Sequence, residues 1–362
     1  MRRKDPLIIG GGPAGSAAAI MLARGGAQPL IIERTRETGD AICGGFVSWR
    51  TLASLETLGL GLEDLAGHRV NQLRLFSGRH NARAPLPKPA IGISRRRLDS
   101  LLLERAIAAG AGVERGVAIR EVSATGEART ADGATLFGES LFVATGKYDV
   151  RGATRARPEN VTLGLRMLLP SHPSLAAMIG DAIELHLFAG GYCGVMINES
   201  GETNLCMAVS KARLTAASGD VSALLAALGA ENPALGARLG FARGSRIDAI
   251  SAVPYGWIAR ETSAGLFRLG DQAAVIPSLA GEGNGIALAS GIAAAKAWAA
   301  GQAAAAPAFQ TQFACAAARP VGLAMRLWKA GETPWSARLA TAVVRRFPAI
   351  AARLAGITRI DH

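Results

Sequence analysis

The sequence predicts an α/β fold that carries an inserted antiparallel sheet and ends in helices. Three observations predict it. A glycine-rich turn, Gly10-Gly11-Gly12-Pro13-Ala14-Gly15, stands between two short apolar runs. Four segments between Val161 and Ser210 have strand length and strand composition. Residues from about 284 to 358 are alanine-rich, as long helices are.

Taken in order, Leu7–Ile9 reads as a buried strand. A helix follows from about Ala14 to Gly25, then a second strand at Pro29–Glu33. The basic start and apolar run resemble a secretory leader, but the glycine cluster serves a phosphate-binding turn and has no use in a leader. Residues 46–60 have helical spacing, Val70–Phe76 alternates, and Asn81–Pro89 is extended. Ser94 caps an amphipathic helix closed by Gly110. Short β segments at 113–115, 119–123, 128–130 and 136–137 lead to the strand and tight turn of Ser140–Gly146. Strands are expected at Val161–Leu169, Ala182–Phe188, Gly191–Asn198 and Thr203–Ser210, with a hairpin turn at Glu199–Gly201. Helices near 220–239 and strands at Ile250–Trp257 and Gly265–Leu269 follow. The helical remainder is expected to break at Pro307, Pro320, Pro334 and Pro348.

The chain has 362 residues, 49% hydrophobic and 19% charged, enough for two domains or one domain with a subdomain. Its formal charge of +12 suggests nucleic acid, but no run mixes basic with aromatic residues. Half of the excess falls between Arg319 and His362. The four cysteines form no CxxC and the five histidines have no ligand spacing, so no metal is expected. Sparse cysteine suits a reducing cytoplasm. No apolar run is long and clean enough to span a bilayer.

The chemistry starts at Gly10-x-Gly12-x-x-Gly15. Glycine there permits the tight turn, close approach of backbone amides to a pyrophosphate, and packing of helix on strand. Pro13 and Ala14 begin the helix whose N-terminus favours phosphate. Glu33 ends the second strand, where a carboxylate accepts bonds from ribose hydroxyls and disfavours a 2′-phosphate, with Arg34 adjacent. More than two hundred residues later, Gly270-Asp271 and Pro277-x-x-x-Gly281-x-Gly283-Asn284-Gly285 form a second anchor. Asp271 suits ribityl hydroxyls, and a helix N-terminus at 283–285 suits the flavin N1–C2=O edge. FAD needs this second anchor and NAD does not.

These motifs, with Arg95-x-x-Leu98-Asp99 and Ala144-Thr145-Gly146, occur in the order found in the superfamily of class A flavin monooxygenases and geranylgeranyl reductases, which residues 1 to about 300 resemble. The resemblance implies a Rossmann-type, glutathione-reductase-like FAD domain built from 1–69, 92–155 and 260–305. It implies a substrate domain at 70–91 and 156–259, followed by a helical region at 306–362. It implies that Arg95 lies near the ribityl–diphosphate stretch and that Cys43 and Gly44, in Cys43-Gly44-Gly45-Phe46-Val47-Ser48, lie beside the flavin ring. A buried small hydrophobe is the alternative for Cys43. Only half of the reductases' Tyr-x-Trp-x-Phe-Pro motif is present at Tyr255–Ala259. The halogenase Trp-x-Trp-x-Ile-Pro motif is absent.

The substrate-side candidates are Cys43, Arg166, Tyr192 and Tyr255, with Cys193, His186 and Trp257 behind them; no acid–base dyad is visible. The resemblance implies an NAD(P)H-dependent monooxygenase acting on an aromatic or lipophilic intermediate. NAD(P)H would bind transiently, and the reactivity would reside in a flavin C4a-hydroperoxide. A C=C reductase of the geranylgeranyl reductase type is the alternative. The basic C-terminal stretch, with Leu339, Val343, Phe347, Ile350 and Leu354 near one face, reads either as a packed helix or as an amphipathic helix at a membrane surface.

Overall fold

A computed structural model gives the fold of residues 4–156 and 162–360. β1 (Leu7–Ile9), α1 (Pro13–Arg24) and β2 (Leu30–Glu33) form the opening βαβ unit, and β3 (Phe46–Val47) and α2 (Trp49–Thr57) follow. After α3 (Leu62–Leu65), the hairpin of β4 (His68–Ser77) and β5 (His80–Gly92) leads to α4 (Arg95–Ala108). Next come β6 (Gly112–Arg115), the small sheet of β7 (Ile119–Val122), β8 (Glu127–Thr130) and β9 (Thr135–Phe137), and then β10 (Leu141–Val143). The insertion holds β11 (Thr162–Leu169), α5 (Pro173–Ile179), β12 (Ala182–Phe188), β13 (Gly191–Ile197) and β14 (Thr203–Ser210). It ends with α6 (Lys211–Ala216), α7 (Val221–Glu231), α8 (Pro233–Leu239) and β15 (Ile247–Ser251). β16 (Leu266–Arg268) returns to the first sheet. α9 (Gly283–Gly301), α10 (Ala306–Gly331), α11 (Pro334–Arg346) and α12 (Pro348–Ile357) complete the chain.

The first sheet is parallel, in the order β16-β10-β1-β2-β6. β1 and β10 at its centre are short and wholly apolar because helices or β layers cover both faces. α1 and α9 lie side by side on it. Gly291 of α9 approaches the Ala14 carbonyl so closely that a Cβ would sit 2.4 Å from that oxygen. This contact sets the first turn of α1 against the middle of α9, two helices from distant parts of the chain.

The second sheet has the order β15-β11-β14-β13-β12-β4-β5-β3. It is antiparallel except where β4 meets β12. Those strands come from separate segments and pair in parallel. Along β12 the side chains alternate: Ile183, Leu185 and Leu187 face the interior shared with the first sheet, and Glu184 and His186 face the opposite way. On that outer face, β11, β13 and β14 pack against α5, α7 and α8 through Leu165, Met167, Val195, Leu205, Leu224 and Leu235.

Three local expectations change. The helix expected at 46–60 starts only after Ser48, because Phe46–Val47 pairs with β5; Ser48 then caps α2 by accepting from the Thr51 amide. The strand expected at Ile250–Trp257 stops at Ser251. Ala252 turns to φ +58°, and Pro254 has no N–H to donate to a ladder. Pro320 does not break α10. The helix runs from 306 to 331 through a buried Pro320, whose packing outweighs one lost backbone bond, whereas Pro307, Pro334 and Pro348 all sit in first turns, where no N–H is needed. Val161 lies outside the described residues.

Beneath the second sheet, fully buried Glu184 accepts two bonds from Arg238, at 2.8 and 2.7 Å, and one from His186 at 3.1 Å. Burial opposes its ionisation, yet the bonds from His186 and Arg238 outweigh burial and hold its carboxyl below the usual range. Glu184→Ala strands Arg238, so a loss of about 3–5 kcal/mol is expected in urea unfolding at neutral pH. Because the folded pKa is depressed, the wild-type contribution is present above the ordinary carboxylate pKa. It should fade as pH falls toward the depressed value, and Glu184→Gln should show a flatter acid limb.

Candidate active site

One cavity of about 850 Å³ runs from the β1–α1 turn, past the N-terminus of α9, to the inner face of the second sheet. That size suits a ligand site.

At its first end, Gly10 adopts φ +108°, with a virtual Cβ 2.5 Å from the Ala144 carbonyl. At Gly15 a Cβ would meet the Gly10 carbonyl oxygen at 2.0 Å, so α1 rests directly on the turn. Gly12, the N-cap of α1, offers no side-chain cap, which leaves first-turn amides available to an anion. Glu33 accepts from the Gly11 amide at 2.8 Å and from the Thr35 amide and hydroxyl at 2.9 and 2.8 Å. These bonds fix its carboxylate at the cavity wall. Beside it the Arg34 guanidinium stacks 3.7 Å above the Tyr148 ring, a flat surface that sequence reasoning did not foresee.

Arg95 donates Nε and Nη2 to Asp99, each at 2.7 Å, and its Nη2 stands 3.5 Å from where a Gly12 Cβ would be. The bidentate pair holds the cation over the helix N-terminus. Thr145 and Gly146 follow β10. Gln272 donates to the Gly146 and Tyr148 carbonyls, both at 3.1 Å, and Arg155 donates to the Asp271 carbonyl at 3.0 Å and to Asp149 at 2.7 Å. These two residues clamp the turn after β10 onto the Gly270–Gln272 turn and so place Asp271 at the cavity. Neither carries a local motif; their contacts are visible only in three dimensions.

α9 supplies the second helix N-terminus, again without a side-chain cap. Gly281, Gly283 and Asn284 line the cavity there; Gly15 and Pro277 stand behind the wall and shape the turns. Its N-cap residue, Glu282, is fully buried. It accepts from Arg359 Nη1 at 2.6 Å and from the Ser48 hydroxyl at 3.4 Å. Arg359 also donates to the Ala280 carbonyl at 2.7 Å. The end of the chain thus neutralises a carboxylate at the end of α9, where it would otherwise oppose a ligand's negative charge.

Cys43 touches this region. Its sulfur accepts from the Gly45 amide at 3.4 Å and lies 4.0 Å from Asn284 Nδ2, and its carbonyl accepts from Asn204 at 2.8 Å. Arg166 is not at the cavity wall. It pairs with Asp40 at 2.9 Å and Asp248 at 2.8 Å and donates to the Ala41 carbonyl at 3.1 Å, tying the 40–44 segment to the second sheet.

Beyond Cys43 the cavity is aliphatic, lined by Leu73, Leu75, Leu185, Leu187, Val344 and Leu354. Among its polar groups here are hydroxyls and a thiol. Tyr255 and Ser278 hydroxyls lie 2.8 Å apart, and Tyr192 stands in the same wall. Burial raises the pKa of both phenols and pushes the Cys206 thiol up to about 11, so all three are neutral near pH 7. Tyr255 meets Trp328 edge to face, with centroids 5.0 Å apart. His186 and Cys193 face the outer core, His186 stacked on Phe76 at 4.5 Å, and Trp257 lies off the cavity.

FAD fits this arrangement. A Cβ at Gly44, Gly146 or Gly283 would meet nothing within 4 Å, although all three line the cavity. Ligand space, and not protein packing, surrounds them. The cavity has two uncapped helix ends, one cation held over the first, and carboxylates at Glu33 and Asp271 that suit sugar and polyol hydroxyls. Among the described residues no cluster of His, Cys, Asp and Glu could hold a metal ion.

Known proteins agree with the geometry. The family of the FAD binding domain matches residues 3–136. A menaquinone reductase of Mycolicibacterium smegmatis is 27% identical over 56% of this chain and 54% of its own length. A chloroplastic geranylgeranyl diphosphate reductase of Oryza sativa subsp. japonica is 36% identical over 33% of this chain and 26% of its own. The chain thus spans about half or less of these curated relatives. The solved structure of PqsL, a probable FAD-dependent monooxygenase from Pseudomonas aeruginosa, shares the fold with a TM-score of 0.72 and 17% identity, over 94% of this chain and all of that one. Residues 3–136 match the FAD binding domain family, and parts of the chain are similar to menaquinone and geranylgeranyl diphosphate reductases.

Proposed function

We propose that the chain is an FAD-dependent monooxygenase that hydroxylates an aromatic or otherwise lipophilic substrate, with NAD(P)H as a transient reductant. The continuity of the FAD cradle with an aliphatic chamber carries this reading. When bound, FAD supplies the redox chemistry. The chain's own residues bind, orient and keep water out. The leucine walls desolvate an apolar substrate. Tyr192, Tyr255 and Ser278 are placed to hold a phenol or carbonyl oxygen of the substrate, and burial keeps both phenols protonated as donors. An acid–base pair in the chamber is not required for this chemistry.

Tyr255→Phe removes one such bond. The expected result is a KM raised about two- to tenfold with kcat changed far less, since a single neutral hydrogen bond contributes about 0.5–1.5 kcal/mol. A reductase acting on C=C bonds is the second reading, favoured by the identity to menaquinone and geranylgeranyl diphosphate reductases. A long-chain phenol and a polyprenyl quinone, each incubated with NAD(P)H under air and under argon, separate the two. Oxygen-dependent gain of one oxygen atom by mass supports hydroxylation. Gain of two hydrogens under argon that persists after the quinol is re-oxidised in air replaces it with C=C reduction.

A further inference from the structure

The C-terminal helices roof the apolar chamber and have a second, outward side. On α11, Ala340 and Val344 line the cavity and Ala337 is buried. Trp335, Arg338, Leu339, Arg345 and Arg346 occupy the opposite arc and are exposed. α12 repeats the pattern, with Ala351, Leu354 and Ala355 inward and Ile350 and Arg353 outward. Phe347 forms the elbow between the helices and is 53% exposed; Trp335 is 72% exposed. Of the ten exposed large apolar side chains among the described residues, Trp335, Leu339, Phe347 and Ile350 fall within this short stretch. No acidic residue occurs between Pro334 and Ile360, whereas Arg338, Arg345, Arg346 and Arg353 all face out.

From this juxtaposition we propose that the outer face of α11 and α12 is a docking surface for an anionic lipid bilayer, and that lipophilic substrate enters the chamber through this roof from the membrane. Apolar side chains at an exposed elbow, flanked by arginines, match an interface of acyl chains beneath anionic headgroups. A second copy of the chain suits the surface less, because a two-fold contact would set four arginines against four arginines. The roof is one helix thick and mostly alanine on its inner side, so a small separation of α11 from α12 opens the chamber toward the lipid. The proposal deepens the lipophilic-substrate reading. Its test needs no turnover, so either can fail alone.

The test is co-sedimentation of the FAD-loaded protein with vesicles of phosphatidylcholine alone or mixed with phosphatidylglycerol. Binding to the anionic vesicles is expected, weakening as salt rises from about 0.05 to about 0.5 M. Trp335→Ser with Phe347→Ser should weaken binding at least tenfold, about 1.4 kcal/mol. Arg338→Gln, Arg345→Gln, Arg346→Gln and Arg353→Gln together should remove the preference for phosphatidylglycerol, at about fivefold per arginine. All six side chains are exposed, so FAD content and melting temperature should stay at wild-type values in both variants. Two results overturn the proposal. One is wild-type protein that stays in the supernatant with anionic vesicles at low salt. The other is self-association in sedimentation velocity that Trp335→Ser/Phe347→Ser abolishes while vesicle binding is unaffected.

Discussion

Gly12→Val should leave the apoprotein folded and lower its affinity for FAD by at least a hundredfold, about 2.7 kcal/mol. Gly12 has φ −75° and ψ −172°, which any L-residue adopts, so the backbone bears no strain. The nearest protein atom to an added Cβ is Arg95 Nη2 at 3.5 Å, so new carbons enter the ligand's space and displace Arg95 from above the helix N-terminus. Gly15→Val is the informative contrast. Its Cβ would lie 2.0 Å from a backbone oxygen, and backbone cannot move aside cheaply. That variant should fail to fold, with or without FAD. Flavin-fluorescence titration and thermal unfolding of both apoproteins check the pair. An unfolded Gly12→Val, or one with wild-type FAD affinity, would remove the first helix N-terminus from the cradle.

The second large effect is expected at the end of the chain. Arg359→Met strands the Glu282 carboxylate in a site with no solvent access, so a stability loss of about 3–5 kcal/mol is expected. Adding Glu282→Gln should recover most of it, because the second change removes the charge that the first left unpaired. The pH dependence has a definite sign. Burial raises the Glu282 pKa despite the opposing Arg359 charge. In Arg359→Met that opposition is gone, so the native state binds a proton which the unfolded state releases. The variant should therefore gain stability relative to wild type as pH falls from about 8 to about 5, and the double variant should not. A pH-independent deficit would assign the loss to packing against Phe46 and Trp49, over whose rings the Arg359 guanidinium lies at 5.6 and 5.3 Å.

Local pattern accounts for much of this molecule. The first βαβ unit, the Ser94 cap and the strands Ala182–Phe188 and Thr203–Ser210 stand where composition and spacing put them. Gly10, Glu33, Asp271 and Gly283, each in a turn or helix end whose chemistry is local, line one cavity, as do Arg95 and Gly146, to which the family resemblance pointed. Pairings across long separations carry no such signature. Glu282 meets Arg359 seventy-seven residues later, and Arg155 reaches back and forward to clamp two turns. Strand alternation sets Arg166 on the face opposite Leu165 and Met167, but only the fold shows that Asp40 and Asp248 take up its guanidinium. Pro320 misleads for the same reason. Its cost is local and fixed, and the packing that outweighs it comes from elsewhere in the chain.

The most direct test of a single cavity shared by FAD and a lipophilic substrate is the visible spectrum of the purified protein, before and after addition of a long-chain phenol. One equivalent of FAD per chain is expected, with flavin bands that shift saturably on addition of the phenol and a shift that weakens in Tyr255→Phe. A colourless protein that takes up no added FAD, or bound flavin whose spectrum no apolar ligand perturbs, would contradict it.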